Sequence, residues 1–389
     1  MRSLRALLLI PLAASVARAD EGAERAFTWR PSFETRSVLT DNAFLTSSHK
    51  DTDLGIWMEP RLELDYRVPA LQLGADLGAQ VPRYLDHTSL NDAYWRTNVH
   101  GEAGLWPGLS VRLSDAYTPQ PIALGVPDDS TTNLAQTNRA QGELRYWREL
   151  SGGREMTVGI LGARFDGQKV AALVPGSDGD AVADQNFRPD FSEGGGFAEF
   201  RNPFGEDHAL LVRGGTRYRS FDSLSEGEYL DAEGTVGLES KLPGGFDLAL
   251  AGGFGWLDPR SGSGEPQALG RAELGWRNAS GLHVQLGFHH AIASDLIGND
   301  FIDTTGRLTV EKYFGLQTSA TVTAFVSELD AQSAHPANNL FGGAEVVVRR
   351  QLSRAFQISV AYRYWENDGG FETDDFRANQ VSMGISYRH

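Results

Sequence analysis

From Leu54 to Val81 the side chains alternate strictly between apolar and polar, and the alternation changes parity across a tight turn. Ile56, Met58, Pro60, Leu62, Leu64 and Tyr66 occupy one face, while Trp57, Glu59, Arg61, Glu63, Asp65 and Arg67 occupy the other. After Val68-Pro69 the oily set continues as Leu71, Leu73, Ala75, Leu77, Ala79 and Val81, with Gln72, Asp76 and Gln80 opposite. A period of two belongs to an extended strand, whose successive side chains point to opposite faces. One face is too charged for a protein interior, and the other is too continuously apolar for water. Hydrocarbon outside and a wet lumen inside accommodate both, as in a transmembrane β-barrel.

The same alternation recurs along the chain and predicts an all-β, antiparallel up-and-down barrel of about 18 strands, within a range of 16–18. The first strand is expected over Phe27 to Leu39, and a short eighth over Phe197 to Asn202. The closing strand carries Val381, Met383, Ile385 and Tyr387. Tight connections rich in Pro, Gly and Asn, such as Trp106-Pro107-Gly108 and Pro243-Gly244-Gly245, alternate with long polar ones, such as 116–138, 166–194 and 289–303. Short periplasmic turns and long extracellular loops are the signature of an outer-membrane barrel. An even strand count closes the wall without a free edge. A soluble sandwich or propeller would have to bury Arg61, Glu63, Asp65, Glu102, Arg112, Glu143 and Arg145, at a prohibitive desolvation cost.

The leader agrees with this address. Met1 to Arg5 is basic, Ala6 to Val16 is a short apolar run, and Ala17-Arg18-Ala19 is a small-x-small cleavage site. Residues 1–19 read as a secretory signal peptide and 20–389 as one barrel domain in the outer membrane of a Gram-negative cell. The chain contains no cysteine, which excludes disulfides, thiolate metal sites and lipid attachment at a processed cysteine. The mean hydropathy of -0.32 resembles that of a soluble protein, because a barrel strand hides its oily half in alternation. Removing Arg2, Arg5 and Arg18 takes the formal charge from -16 to -19, which argues against nucleic acid and anionic lipid as partners. For small ions it predicts a mild cation preference.

No motif points to an active site. The Gly runs at 194–196 and 252–253 lack a following Lys-Ser or Lys-Thr, and no Ser lies in a G-x-S-x-G context. His283 and His289 share the lumen parity, but no set of convergent ligands accompanies them, so neither a metal site nor a cofactor is expected. The acidic segment 366–375 lacks the spacing of a calcium loop and reads as a solvated anionic rim. The long segment 166–194 either folds into the channel or extends into solvent.

The candidate contact residues lie inside the barrel. By parity Trp57, Tyr94, Phe325 and Trp365 point inward near the extracellular mouth, and Trp57, Tyr94 and Trp365 could share one wall. Flat rings beside Glu59, Arg61, Glu63, Asp65, Arg96 and Arg363 suit a sugar, whose C–H faces stack while its hydroxyls hydrogen-bond. Packing of these rings under the loops is the competing reading.

Thr40-Asp41-Asn42-Ala43-Phe44 ends the first strand, and Met58-Glu59-Pro60-Arg61-Leu62-Glu63-Leu64-Asp65-Tyr66 gives the second a Pro-centred motif. These segments, with the closing strand Val381 to His389, resemble a family of outer-membrane β-barrel porins, some encoded with myxobacterial exopolysaccharide systems. The ending two residues past Tyr387 departs from the usual final aromatic recognised by the barrel-assembly machinery. The resemblance implies a conduit for export of a secreted polysaccharide, working with a periplasmic polysaccharide co-export protein, with outer-membrane lipid around it. A general or substrate-specific uptake porin and a plugged structural or adhesion barrel are the alternatives; an enzyme is not expected.

Overall fold

The computed structural model describes residues 26–42, 51–88, 91, 93–121, 134–169, 173–175, 181–183, 190–222, 228–259, 265–294, 300–331, 339–368 and 375–388. The expected signal peptide lies outside them. The first seven strands are β1 (Ala26–Thr40), β2 (Asp53–Val68), β3 (Leu71–Tyr84), β4 (Tyr94–Trp106), β5 (Leu109–Pro121), β6 (Leu134–Leu150) and β7 (Arg154–Lys169). A short hairpin, β8 (Leu173–Pro175) and β9 (Ala181–Ala183), forms a separate two-stranded sheet. The wall resumes with β10 (Phe191–Pro203), β11 (His208–Phe221), β12 (Glu228–Leu242), β13 (Phe246–Pro259), β14 (Glu265–Arg277) and β15 (Leu282–Ser294). It ends with β16 (Asp300–Phe314), β17 (Thr318–Ala331), β18 (Asn339–Gln351), β19 (Phe356–Asp368) and β20 (Phe376–Arg388).

The 18 strands of the wall pair antiparallel with their neighbours in sequence, β7 meeting β10, and β20 returns to β1 to close the sheet. Closure satisfies the backbone within the wall, a requirement wherever lipid replaces water. The apolar parity faces out. Ile56 (45% exposed), Ile160 (61%), Val236 (54%) and Met383 (64%) lie bare on the outer surface, while Glu63 and Arg30 pair across the inner one. Trp106, Phe356 and Tyr387 lie near the short-turn rim, and Trp95, Phe254 and Trp256 near the other. Two such girdles suit the headgroup layers.

The short turns need left-handed backbone, and every positive-φ glycine among the described residues falls in one of them. At Gly108 an added Cβ would lie 2.2 Å from the Trp147 carbonyl oxygen, and at Gly245 2.3 Å from that of Arg277. Both turns therefore exclude a side chain on two grounds, conformation and space.

Two expectations are corrected. The eighth wall strand begins at Phe191 and not at Phe197, because Gly194-Gly195-Gly196 offers no side chains to alternate while still pairing with β7 and β11. The long loops are also shorter than the pattern suggested: β5 runs to Pro121, and β15 runs to Ser294. Above the bilayer both faces meet water, so a strand continues there without an oily side. Arg164, on the outward parity of β7, marks that height. It reaches Asp166 at 3.0 Å and Ser192 at 2.9 Å, and pairs with Asp222.

Candidate functional site in the barrel lumen

Inward parity collects the charged residues, and they neutralise one another both across neighbouring strands and at i, i+2 within a strand. Arg112 reaches Glu102 at 2.8 Å, Arg145 reaches Glu143 at 2.9 Å, Arg219 reaches Glu193 at 3.1 Å, and Arg271 reaches Glu273 at 2.6 Å. Arg36 lies 3.5 Å from Glu59, and Arg363 pairs with Glu345. The more exposed of these, such as Arg112–Glu102 and Arg271–Glu273, contribute little stability each, about 0–1 kcal/mol, whereas Arg219–Glu193 is largely buried. The larger effect of the pairs is to leave a polar wall with few strong charge traps.

A cavity of about 1060 Å³ lies along the arc formed by β14 to β20 and β1 to β4. Two of its arginines have no carboxylate partner among the described residues. Arg96 donates only to Gln80 Oε1, at 3.1 Å, and its Nε is buried without a partner. Arg307 sits over the Phe325 ring, its guanidinium carbon 5.9 Å from the centroid. Gly287 is the register partner of Arg307 on β15 and brings no competing side chain. Phe325 meets Phe341 edge-on at 5.9 Å, and Arg363 lies 5.7 Å from the centre of Trp365. The cavity thus offers apolar rings and uncommitted positive charge side by side.

The same wall holds a histidine with a fixed partner. His289 Nε2 is 3.0 Å from Asp303 Oδ2, while Asp303 Oδ1 accepts from Thr305 Oγ1 at 2.6 Å and Ser327 Oγ at 2.8 Å. These are the residue types of a hydrolytic triad without its wiring. Ser327 donates to the carboxylate and not to the imidazole, so its hydroxyl has no base.

The sequence-derived candidates separate by position. Glu59, Arg96, Phe325, Arg363 and Trp365 line the cavity, and Arg61 lines an adjoining recess with Glu59 and Arg96. Glu63 and Asp65 pair with Arg30. Trp57 and Tyr94 are 1% and 3% exposed. Trp57 packs edge-on against Tyr84 at 6.4 Å with Arg36 over its face at 4.5 Å, so neither ring shares a solute-facing wall with Trp365. Arg307, His289 and Asp303 were not among the contact candidates; inward parity marked both Arg307 and His289, whereas the histidine–carboxylate pairing depends on register. Of the acidic residues in segment 166–194, Asp166, Asp190 and Glu193 are described; Asp178, Asp180 and Asp184 lie outside the described residues, as do Glu372 and Asp374 of the anionic rim.

No protein-family model and no curated protein matches the chain. Solved structures do. OccK2 (OpdF) of Pseudomonas aeruginosa is 15% identical, with a TM-score of 0.54 over 92% of this chain and 97% of that one. The same protein in complex with glucuronate gives 14% identity and a TM-score of 0.55, covering 93% and 96%. P. aeruginosa OpdK with vanillate gives 12% identity and 0.52, covering 93% and 98%. The protein is an outer-membrane β-barrel. At this level of identity the likeness is one of fold, and it lends no support to polysaccharide export.

Proposed function

We propose that the protein is a passive, substrate-selective outer-membrane channel for small organic acids that carry a ring. The observation that carries this reading is the pairing of Arg307 with Phe325, in a cavity whose other uncommitted guanidinium is Arg96. A carboxylate takes two parallel N–H donors from a guanidinium fork, and a flat ring or sugar face gains about 0.5–1.5 kcal/mol on an aromatic neighbour. A cavity of about 1060 Å³ suits a solute of that size. The glucuronate and vanillate held by barrels of the same fold are both ring-bearing acids. The ion pairs elsewhere provide exchangeable contacts, so a solute can leave as readily as it enters.

Planar-bilayer recording tests the reading. The purified chain conducts ions without a partner, and glucuronate or vanillate interrupts the current in a concentration-dependent way while glucose does not. Arg307→Gln weakens the block about tenfold or more, the value of a hydrogen bond to a charged group. Equal block by glucose, or a barrel silent until a periplasmic partner is added, overturns it; the second result would favour export.

A further inference from the structure

We propose that His289 is a third solute contact of this site, and that its protonation sets how tightly the channel holds an acid. The inference rests on the reading of the lumen as an acid-selective channel and adds a regulation to it. His289 lines the same cavity as Arg96 and Arg307. Its register partner on β16 is Thr305, two residues from Arg307 on the same face, so the imidazole and the free guanidinium are neighbours along the wall.

Asp303 gives the ring a fixed role. Its Oδ1 is occupied by the hydroxyls of Thr305 and Ser327, which leaves Oδ2 to accept from His289 Nε2. With Nε2 held as a donor, Nδ1 is the atom that gains or loses the proton. The imidazole side chain is 45% exposed. Neutral, it accepts from a solute hydroxyl; protonated, it donates and adds a positive charge next to Arg307.

Among the described residues lining the cavity His289 is the one histidine, and the charged groups around it are arginines and carboxylates. On β14 its register partner is Arg271, which holds Glu273 at 2.6 Å. On β16 stand Asp303 and Arg307, and β17 supplies Ser327, which carries no charge. Across the cavity Arg36 lies 3.5 Å from Glu59, and Arg363 is paired with Glu345. Arginines and carboxylates keep their charge from about pH 5.5 to 8, whereas histidine changes its charge in that interval. Capture therefore strengthens as the outside becomes more acidic, provided the solute itself stays ionised.

The test is block of the full-length channel by glucuronate, whose carboxylate is ionised throughout, measured from about pH 8 down to about pH 5.5. In the wild type the blocking concentration falls about fivefold, the scale of one added charge contact at a half-wet site. His289→Gln flattens that dependence. His283→Gln and His100→Gln, on other inward positions, retain the slope. A pH-independent block in the wild type, or a slope that survives His289→Gln, overturns the role of His289 and leaves the channel reading standing. Absence of acid block at every pH overturns the channel reading, and this inference with it.

Discussion

Asp41 clasps Asn379: its Oδ1 accepts the Asn379 backbone N–H at 2.6 Å, and its Oδ2 accepts the side-chain amide at 2.7 Å. The Asp41 N–H returns a bond to the Asn379 carbonyl at 3.1 Å, and Asn42 Nδ2 donates to the Arg377 carbonyl at 3.1 Å. The Asp-Asn step that ends the first strand is therefore the upper fastening of the seam between β1 and β20. Asp41→Ala removes two charge-assisted bonds and strands an amide. We expect a loss of about 1–3 kcal/mol, read as a lower temperature for loss of the compact barrel in gel migration. Asp41→Asn, which keeps one acceptor, should lose less.

A second fastening sits at the top of β2. Asp53 is buried and accepts the backbone N–H groups of His87 (2.9 Å) and Asp86 (3.2 Å) as well as the His87 ring. Burial pushes the Asp53 carboxyl up, but these donors outweigh it and hold the group below the ordinary carboxylate range. A carboxyl depressed in the folded state contributes stability that is complete above its unfolded value, about 3.9, and is lost as pH falls through the lower folded value. Exchange protection of the Asp86 and His87 amides should therefore persist down to about pH 4 and fail only below it. Failure near neutrality would show that the His87 ring, and not the carboxylate, controls the segment.

How much of this was visible beforehand varies with what each feature depends on. Alternation reveals parity, and parity was enough to place Ile56 and Val360 outside and Glu63 and Arg145 inside. It fails where side chains are missing, as at Gly194 to Gly196, and above the bilayer, where both faces are wet. It also cannot measure depth. Trp57 and Trp365 share inward parity, yet one lies beneath Arg36 and the other lines the cavity. The juxtaposition of His289 with Asp303 needs the register of β15 on β16, which no single strand encodes.

The lipid and water faces can be compared at neighbouring positions of β12. Val236 faces out and is 54% exposed, while Thr235 faces in opposite Arg213 and Gly253. Val236→Arg should cost up to about 2–4 kcal/mol, because a charge on the lipid face must be desolvated or drag water with it. Thr235→Gln should be nearly neutral. Urea unfolding of the refolded barrel in lipid vesicles gives both values, and equal costs would contradict the assigned faces.

Gly343 sets the geometry of the cavity's aromatic wall. It lies on β18 between Phe325 of β17 and Trp365 of β19, its register partner on either side. A Cβ at Gly343 would come within 3.0 Å of Phe325 Cε1 and of Trp365 Cδ1, and within 2.7 Å of the Tyr364 carbonyl oxygen. The two rings close over the bare glycine, as aromatic residues do where a strand lacks a side chain. Gly343→Ala has to move both rings or the backbone, and the moving ring is the one beneath Arg307. The variant should still insert and conduct, since β18 keeps its ladder, while block by vanillate weakens several-fold. Gly234→Ala is the control: it faces lipid, and an added Cβ meets nothing within 4 Å. If both alanines leave block by vanillate unchanged, the Phe325–Trp365 wall does not hold the ring of the solute.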